Sequence, residues 1–591
     1  MRFMVKSRVV RSFRRCPLPS SSSPFLSIPF QQSSTGSLPV LSKRRLPPRT
    51  PLWAWALFNG IEKTSSDGRV AHMTSINCNT GVKSIVRLST PPKQIKNAHV
   101  TKLSQFPGQA MEALGAIILD CKKPPKILQK EADDKGLQLS NKLEMRHFPA
   151  NPKEVQMARK QIMHEMFEEN PALLYQWEDT KQRPTLSRMF DKEAQKRLGA
   201  TRYNWKPLKF DTKEAAVVYA LSRFGGYFAE MRRVFSEFDR NGFEPETVLD
   251  YGSGSGAAFW AAFERWGNKV REYSLMDQDY VIRQLSMDLL RGKNYTGAGE
   301  MITQNVFFRK DLFPSPQHTY DLVILHRTLI EIQSEEERME LIEKLWKRTK
   351  RFLVVVDSHM PDAFEALIQI RDFILIAGND FDADKTKELL RQHGKLDQYT
   401  IELFASNKVE TYEKFCIARE KLPNHVPVPT RLEPGHVFAP CPHDQACPLL
   451  SKQKSCKFKV RWQEFRTDHR TKSVNRDGTL TGEFSFLIME KGERKPADAV
   501  PARLLQLERA HKCVSCHICT AFDGLQQLVV SKRHEKVYAR IRRAMPSQLL
   551  PVNMEVVKSE TDLLRSSETL EEQNRQRVLS ISDAAQTKLL N

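Results

Sequence analysis

The residues with the clearest capacity for chemistry are cysteines in the second half of the chain. Cys441-Pro-His443-Asp-Gln-Ala-Cys447 is followed by Cys456 and later by Cys513, Cys516 and Cys519, with Cys416 upstream. Five residues separate Cys441 from Cys447 and eight separate Cys447 from Cys456. Both gaps are short enough to close around one centre. Three thiolates need a fourth ligand to complete a tetrahedral zinc site or a four-iron cubane. Cys519, Cys516, Cys513, Cys416 and His443 are the candidates. The first group holds no C-x2-C pair, and its irregular spacing fits a four-iron cluster at least as well as zinc. Cys16, Cys78 and Cys121 are scattered. Ten cysteines in 591 residues are too few for a disulfide scaffold, and clustering of this kind favours metal.

A second chemical feature is the run Val248-Leu-Asp250-Tyr-Gly252-Ser-Gly254-Ser-Gly256, set between an apolar segment and an Ala-rich one. Glycines allow a tight turn and close approach of backbone to a ligand, and the helix start offers unpaired N–H groups. Asp250 is placed to order the turn or a ligand. Asp277 ends the next strand-like segment, where a carboxylate can accept from two ribose hydroxyls. Strand, glycines, helix and Asp277 together predict a site for a nucleoside-bearing cofactor. Ala257 stands where the strict dinucleotide fingerprint G-x-G-x-x-G has its last glycine. Glycine at 256 makes the pattern resemble motif I of S-adenosylmethionine-dependent methyltransferases. His326, after the apolar run Tyr320–Leu325, has the chemistry of a general base, although a histidine at a strand end is more often structural. The Asn/Asp-Pro-Pro-aromatic motif of amino-methylating enzymes is missing there, and no catalytic residue is assigned.

The third feature is charge. The formal net charge is +22, which favours a polyanionic partner, with RNA foremost. Around the cysteines lie Lys452, Lys454, Lys457, Lys459, Arg461, Arg466, His469, Arg470, Lys472 and Arg476, interleaved with Phe458, Trp462 and Phe465. Cations and aromatic rings together suit phosphate contacts and base stacking.

The elements that must position these groups follow from periodicity. Ala110–Leu119, Pro152–Glu169, Asp191–Leu198 and Thr212–Phe238 carry apolar residues at helical spacing, and Gly225-Gly226 marks a kink in the last. From Thr247 strands alternate with helices: Thr247–Tyr251, Ala257–Trp266, Arg271–Met276, Tyr280–Gly292, Tyr320–His326, Glu335–Thr349, Arg351–Asp357 and Ala363–Ala377. That alternation predicts an α/β fold with a parallel, doubly wound sheet. Phe484–Met489 and Gln526–Val530 read as further strands.

The expected organisation is a transit peptide over 1–50, a disordered linker over 51–105, a helical domain over 106–240, and a Rossmann-like methyltransferase domain over 241–421. A cysteine-rich, RNA-facing domain over 422–551 and a polar tail over 552–591 complete it. The leader reading rests on composition. Residues 1–61 contain ten Lys and Arg, many Ser and Pro, and no acid before Glu62, as in mitochondrial and plastid transit peptides. No run of eighteen apolar residues predicts a membrane span.

Asp250-Tyr-Gly-Ser-Gly-Ser-Gly256, Ala439-Pro-Cys-Pro-His-Asp-Gln-Ala-Cys-Pro448, Phe484-Ser-Phe-Leu-Ile-Met and Cys519-Thr-Ala-Phe-Asp-Gly524 resemble the mitochondrial small-ribosomal-subunit methyltransferase-like family. The resemblance runs from about Phe106 to Pro551; its proline-flanked cysteine segment is specific and its glycine turn generic. It implies a Rossmann-like S-adenosylmethionine methyltransferase fold with an N-terminal helical domain and a C-terminal cysteine-rich metal-binding extension. It also implies a matrix factor that acts as a monomer on the pre-ribosome, binds small-subunit rRNA and ribosomal proteins, and supports mitochondrial translation. A 4Fe-4S cluster on Cys441, Cys447, Cys456 and Cys519 is implied, with Cys516 as rival for the fourth place. So is an S-adenosylmethionine site at Asp250, Gly252, Gly254, Gly256 and Asp277, with methyl transfer as the alternative activity. The chain departs from the family at Ala544-Met-Pro546 and at Asp357-Ser-His359.

Overall fold

The computed structural model describes residues 72–77, 83–89, 103–144, 152–201, 208–296, 300–378, 432–452, 454–467, 477–495, 500–522 and 524–558. The expected transit peptide, and His469, Arg470, Lys472, Arg476 and Cys416, lie outside these residues.

The α/β half forms where apolar runs are long enough to be buried on both faces. Strands β3 (Thr247–Tyr251), β4 (Glu272–Met276), β5 (Val306–Arg309), β6 (Tyr320–His326) and β7 (Thr349–Ser358) pair in parallel. Two later strands extend the same sheet: β8 (Gly435–Ala439) and the long β10 (Thr479–Lys491). Their order is β5-β4-β3-β6-β7-β10-β8, with β10 antiparallel to both neighbours. The first half of β10 overhangs and pairs with β9 (Phe458–Gln463). After β3 the chain winds one way to β4 and β5, then returns past β3 to β6 and β7. That reversal places a crevice at the carboxyl ends of β3 and β6, where doubly wound sheets bind ligands.

Helices α1 (Gly108–Leu119), α2 (Pro125–Glu144) and α6 (Lys213–Phe235) share one core with this sheet and with α7 (Ala257–Trp266) and α8 (Tyr280–Arg291). The expected separate helical domain is therefore not separate in these three helices. Helices α3 (Pro152–Glu169), α4 (Ala172–Glu178) and α5 (Arg183–Thr201) carry a small core of their own around Ile162, Leu186, Phe190 and Ala194. The opposite face of the sheet is covered by α9 (Glu335–Arg348) and α10 (Pro361–Ala377). Helix α6 runs without interruption through Gly225-Gly226. A Cβ at Gly225 would lie 2.9 Å from Trp462 Cδ1, and one at Gly226 3.2 Å from Trp462 Cζ2. The glycine pair is a socket for the indole.

A second, antiparallel sheet has the order β11-β12-β13-β1-β2-β14. It joins β11 (Arg503–Arg509), β12 (Cys513–Thr520), β13 (Gly524–Ser531) and β14 (Asn553–Lys558) to β1 (His72–Asn77) and β2 (Lys83–Ser89). Helix α11 (Glu535–Arg543) lays Val537, Tyr538 and Ile541 on its core. Two expectations are corrected here. Part of the linker 51–105 is strand, and the first residues of the tail 552–591 are strand. Each is fixed by a partner hundreds of positions away, as in Ile76 opposite Leu528 and Met554 opposite Leu88. The boundary expected at 421/422 also moves: β8, β9 and β10 belong to the doubly wound sheet, so of the expected cysteine-rich domain only the residues beyond β10 belong to the second sheet.

Candidate functional site

The glycine turn is stitched across the end of β4. Gly252 N and Ser253 N donate to Met276 O at 2.8 and 2.9 Å. Gly252, Gly254 and Gly256 have φ of 74°, 51° and 82°, a region open to glycine. A Cβ on Gly252 would sit 2.3 Å from Thr328 Oγ1, and one on Gly256 2.7 Å from Ser286 Oγ. The turn lines a cavity of about 520 Å³, with Asp250, Asp277, Phe210, Tyr219, Tyr227 and Arg327 among its walls.

The two acids differ. Asp277 Oδ2 accepts from Gly254 N at 2.8 Å and Oδ1 from Asp279 N at 2.9 Å, so it braces the turn. Each oxygen keeps a further lone pair for a ligand. Asp250 is 2 % exposed, and neither of its carboxylate oxygens has a hydrogen-bond partner. Burial, and then the charge of Asp277, push its carboxyl up to about 7. A buried carboxylate without donors is costly. At the wall of a cavity it is a place for a ligand's N–H or cationic group.

Helix α6, read from sequence as plain core, supplies the other wall. Glu230 on α6 is buried; His326 Nε2 lies 2.9 Å from its Oε2, and Arg327 donates to it from Nε at 3.1 Å and Nη2 at 2.5 Å. Burial raises the Glu230 carboxyl, but the charge of Arg327 and the bond from His326 outweigh it and hold it low. Arg327 itself has φ 59°, unusual for a residue with a side chain. His326 is thus an orienting partner of Glu230, and no free base stands at the end of β6. Glu230 was hidden because it occupies the apolar face of its helix. An acid on that face was the available signal. At the departure Asp357-Ser-His359, Asp357 is buried and accepts from Ser358 N at 2.7 Å and Ile330 N at 3.3 Å.

The cysteines meet where the two sheets meet. Cys441 follows β8, Cys447 closes the same loop, Cys456 precedes β9, and Cys519 lies on β12. Arg371 of α10 donates to the carbonyls of His443 and Gln445. Asp444 accepts from Val437 N at 2.8 Å and from Arg494 at 2.6 and 3.0 Å. Those bonds pin the loop. Across the junction, His443 Nε2 lies 3.1 Å from Cys519 Sγ, and burial followed by Arg371 lowers the imidazole to about 4, so it is neutral. Arg503 of β11 donates from Nε to Pro440 O at 3.0 Å.

The four thiols lie within electrostatic reach of one another. Burial, Cys441, Cys456 and Cys447 drive Cys519 well up, while burial raises Cys441 to about 11. Arg371 and Arg503 oppose these shifts at Cys441. Cys516, three positions from Cys519, points the other way, into the core with Val514, Ile518 and Leu528. Among the described residues no group of three or more His, Cys, Asp or Glu side chains is placed to hold a metal ion.

The aromatic residues expected to stack on bases are packing residues. Phe458 is buried with its ring 4.5 Å from that of Phe486, Trp462 fills the glycine socket, and Phe465 lies 5.3 Å from Phe106. Lys457 and Lys459 pair with Glu483, and Arg466 with Asp133 and Glu464.

Comparison with known proteins gives three findings. Residues 213–384 and 382–551 match the family model described as mitochondrial small ribosomal subunit Rsm22. The human protein named Ribosome assembly protein METTL17, mitochondrial, is 29 % identical over 418 residues, 70 % of this chain and 77 % of that one. Among solved structures, a Synechocystis magnesium protoporphyrin IX methyltransferase with bound SAM is 18 % identical over 29 % of this chain and 74 % of its own, with a TM-score of 0.20. Human N-acetylserotonin methyltransferase with SAM is 17 % identical over 25 % and 39 %, with a TM-score of 0.17. At such TM-scores the likeness adds nothing to the strand order already described.

Proposed function

Because the chain belongs to the mitochondrial small ribosomal subunit Rsm22 family, we propose that it is a mitochondrial assembly factor for the small ribosomal subunit. In this reading residues 1–50 direct it to the matrix. There it acts as a monomer, binds small-subunit rRNA and ribosomal proteins, and supports translation. No helix among the described residues is long and apolar enough to cross a membrane.

The observation that carries the reading is the convergence of Cys441, Cys447, Cys456 and Cys519 from both sheets. The donor set suits a 4Fe-4S cluster. It offers four thiols, cationic Arg371 and Arg503 to offset thiolate charge, and a neutral imidazole beside Cys519. The cluster would contribute cross-linking of the two sheets. Binding of purified protein to small-subunit rRNA, alongside Cys447→Ser, tests the reading; absence of binding, or indifference to the substitution, counts against it.

A second reading, an active S-adenosylmethionine-dependent rRNA methyltransferase, is favoured by the unpartnered carboxylate of Asp250 in the cavity. Asp250, Gly252, Gly254, Gly256 and Asp277 would hold the cofactor, whose sulfonium supplies the methyl group. The residues present would bind and orient it. Unchanged rRNA methylation in a folded, assembly-competent Gly254→Arg variant excludes the methylation reading.

A further inference from the structure

Among the cations around the cysteines that the sequence offered for phosphate contact, Lys457, Lys459 and Arg466 are engaged in ion pairs, while Lys452, Lys454 and Arg461 are exposed and make no ion pair with a described residue. Elsewhere on the α/β half, Lys344 pairs with Glu340 and Lys347 with Glu343. A larger group of cations with no described ion-pair partner lies on α11 and the turns beside it. On α11, Lys536, Arg540 and Arg543 recur at i, i+4 and i+7 and so share one face, while Val537, Tyr538 and Ile541 face the core. Lys536 and Arg543 are exposed and Arg540 is half-buried. Lys532 N donates to Lys512 O at 2.8 Å, which brings the turn after β13, with exposed Lys532 and Arg533, beside the β11–β12 hairpin tip, with exposed Lys512. None of these six cations makes an ion pair with a described residue. The acids at the margin are Glu535, and Glu508, which is held by Gln506.

We infer that this face of the second sheet, centred on α11, is the docking surface for an RNA phosphate backbone. It rests on the reading of RNA as the partner and places the contact on α11, away from the cysteine loops. Charge, spacing and surface character favour RNA. Unpaired cations in one patch lower no internal energy, so their charge is available to a polyanion. Lys536 and Arg543 stand about 10 Å apart along the helix, a span that reaches neighbouring phosphates of one strand. The helix turns its apolar side inward, and the exposed large apolar side chains of this region, Val529 and Met545, are single residues rather than a continuous face for a protein partner. Such contacts fix position on the RNA without reading its sequence.

The test uses the full chain, purified with its metal content intact, and small-subunit rRNA transcribed in vitro. Binding is measured across a salt series for the parent, for a Lys536→Ala/Arg540→Ala/Arg543→Ala variant, and for a Lys344→Ala/Lys347→Ala control. Thermal unfolding and metal content confirm that each variant is folded. Loss of three phosphate contacts should lower the slope of log K against log salt by roughly 2 to 3, and weaken binding roughly 50- to 150-fold near physiological salt. The control should bind as the parent does. A folded triple variant with the parent's affinity and slope overturns the inference and leaves the assembly reading standing. A parent that binds no rRNA overturns both. A parent that binds anionic phospholipid vesicles through this face, and rRNA independently of it, overturns RNA as the occupant.

Discussion

The junction between the two sheets contains a buried charge network whose removal should be costly. Glu237, just after α6, accepts from Arg503 at 3.0 and 3.1 Å and from Arg233 at 2.9 Å. Both guanidiniums also donate to Ser547 O at 3.1 Å. All three side chains are buried. Burial pushes the Glu237 carboxyl up, but the charges of Arg503 and Arg233 outweigh it and hold it at about 2 against an ordinary 4.5. That depression corresponds to about 3 kcal/mol. Glu237→Gln keeps the shape and removes the anion, leaving two buried guanidiniums without a counter-charge, for which a loss of about 3–5 kcal/mol is expected. The assay is urea denaturation of the metal-loaded protein followed by tryptophan fluorescence. The sign with pH is fixed: a depressed carboxyl contributes fully above about 4.5, and the contribution fades as pH falls toward 2. The parent should therefore lose about 3 kcal/mol over that window that the variant does not. A loss under about 1 kcal/mol, or the same acid dependence in both proteins, refutes the assignment of Glu237 as the clamp.

Three other outcomes are expected. Gly225→Ala, normally favourable inside a helix by about 1 kcal/mol, should instead destabilise by about 1–3 kcal/mol, because its Cβ meets Trp462; a rise in melting temperature would contradict the socket. Cofactor affinity measured by calorimetry should rise with pH through about 7 and level off above it, since burial and Asp277 raise Asp250 and only its ionised form attracts a cationic group; a profile flat from pH 6 to 8 would exclude Asp250 as the contact. Cys519→Ser should lower bound iron sharply, whereas Cys516→Ser, whose thiol faces the core of the second sheet, should keep it; the reverse pattern would exchange their roles.

The doubly wound half was legible because parallel strands buried on both faces are continuous apolar runs, and their helices have length and period. Thr247–Tyr251 and Ala257–Trp266 occupy the residues the pattern marks. The second sheet was not legible as a unit. Strands β1 and β2 pair with each other but have no local signal strong enough to stand alone, and their outer partners, β13 and β14, come from beyond residue 520. The glycine turn could be located from spacing, but its dependence on Thr328 and Ser286 is a matter of close approach, which spacing does not encode. Glu230 was invisible as a site residue for a related reason: the helical stripe predicts burial, and only the fold brings His326 and Arg327 onto it. Phe458, Trp462 and Phe465 show the converse, since aromatic residues among lysines read as a nucleic-acid surface, while alternation along β9 turned Phe458 and Trp462 inward and Phe465, beyond its end, packs on Phe106.

One four-iron cluster on Cys441, Cys447, Cys456 and Cys519 would join the two sheets. Anaerobic purification of the full chain with quantification of iron, sulfide and zinc tests it most directly. The expected result is a brown protein with about four irons and four sulfides per chain. A colourless protein carrying zinc, or one free of both metals, contradicts it.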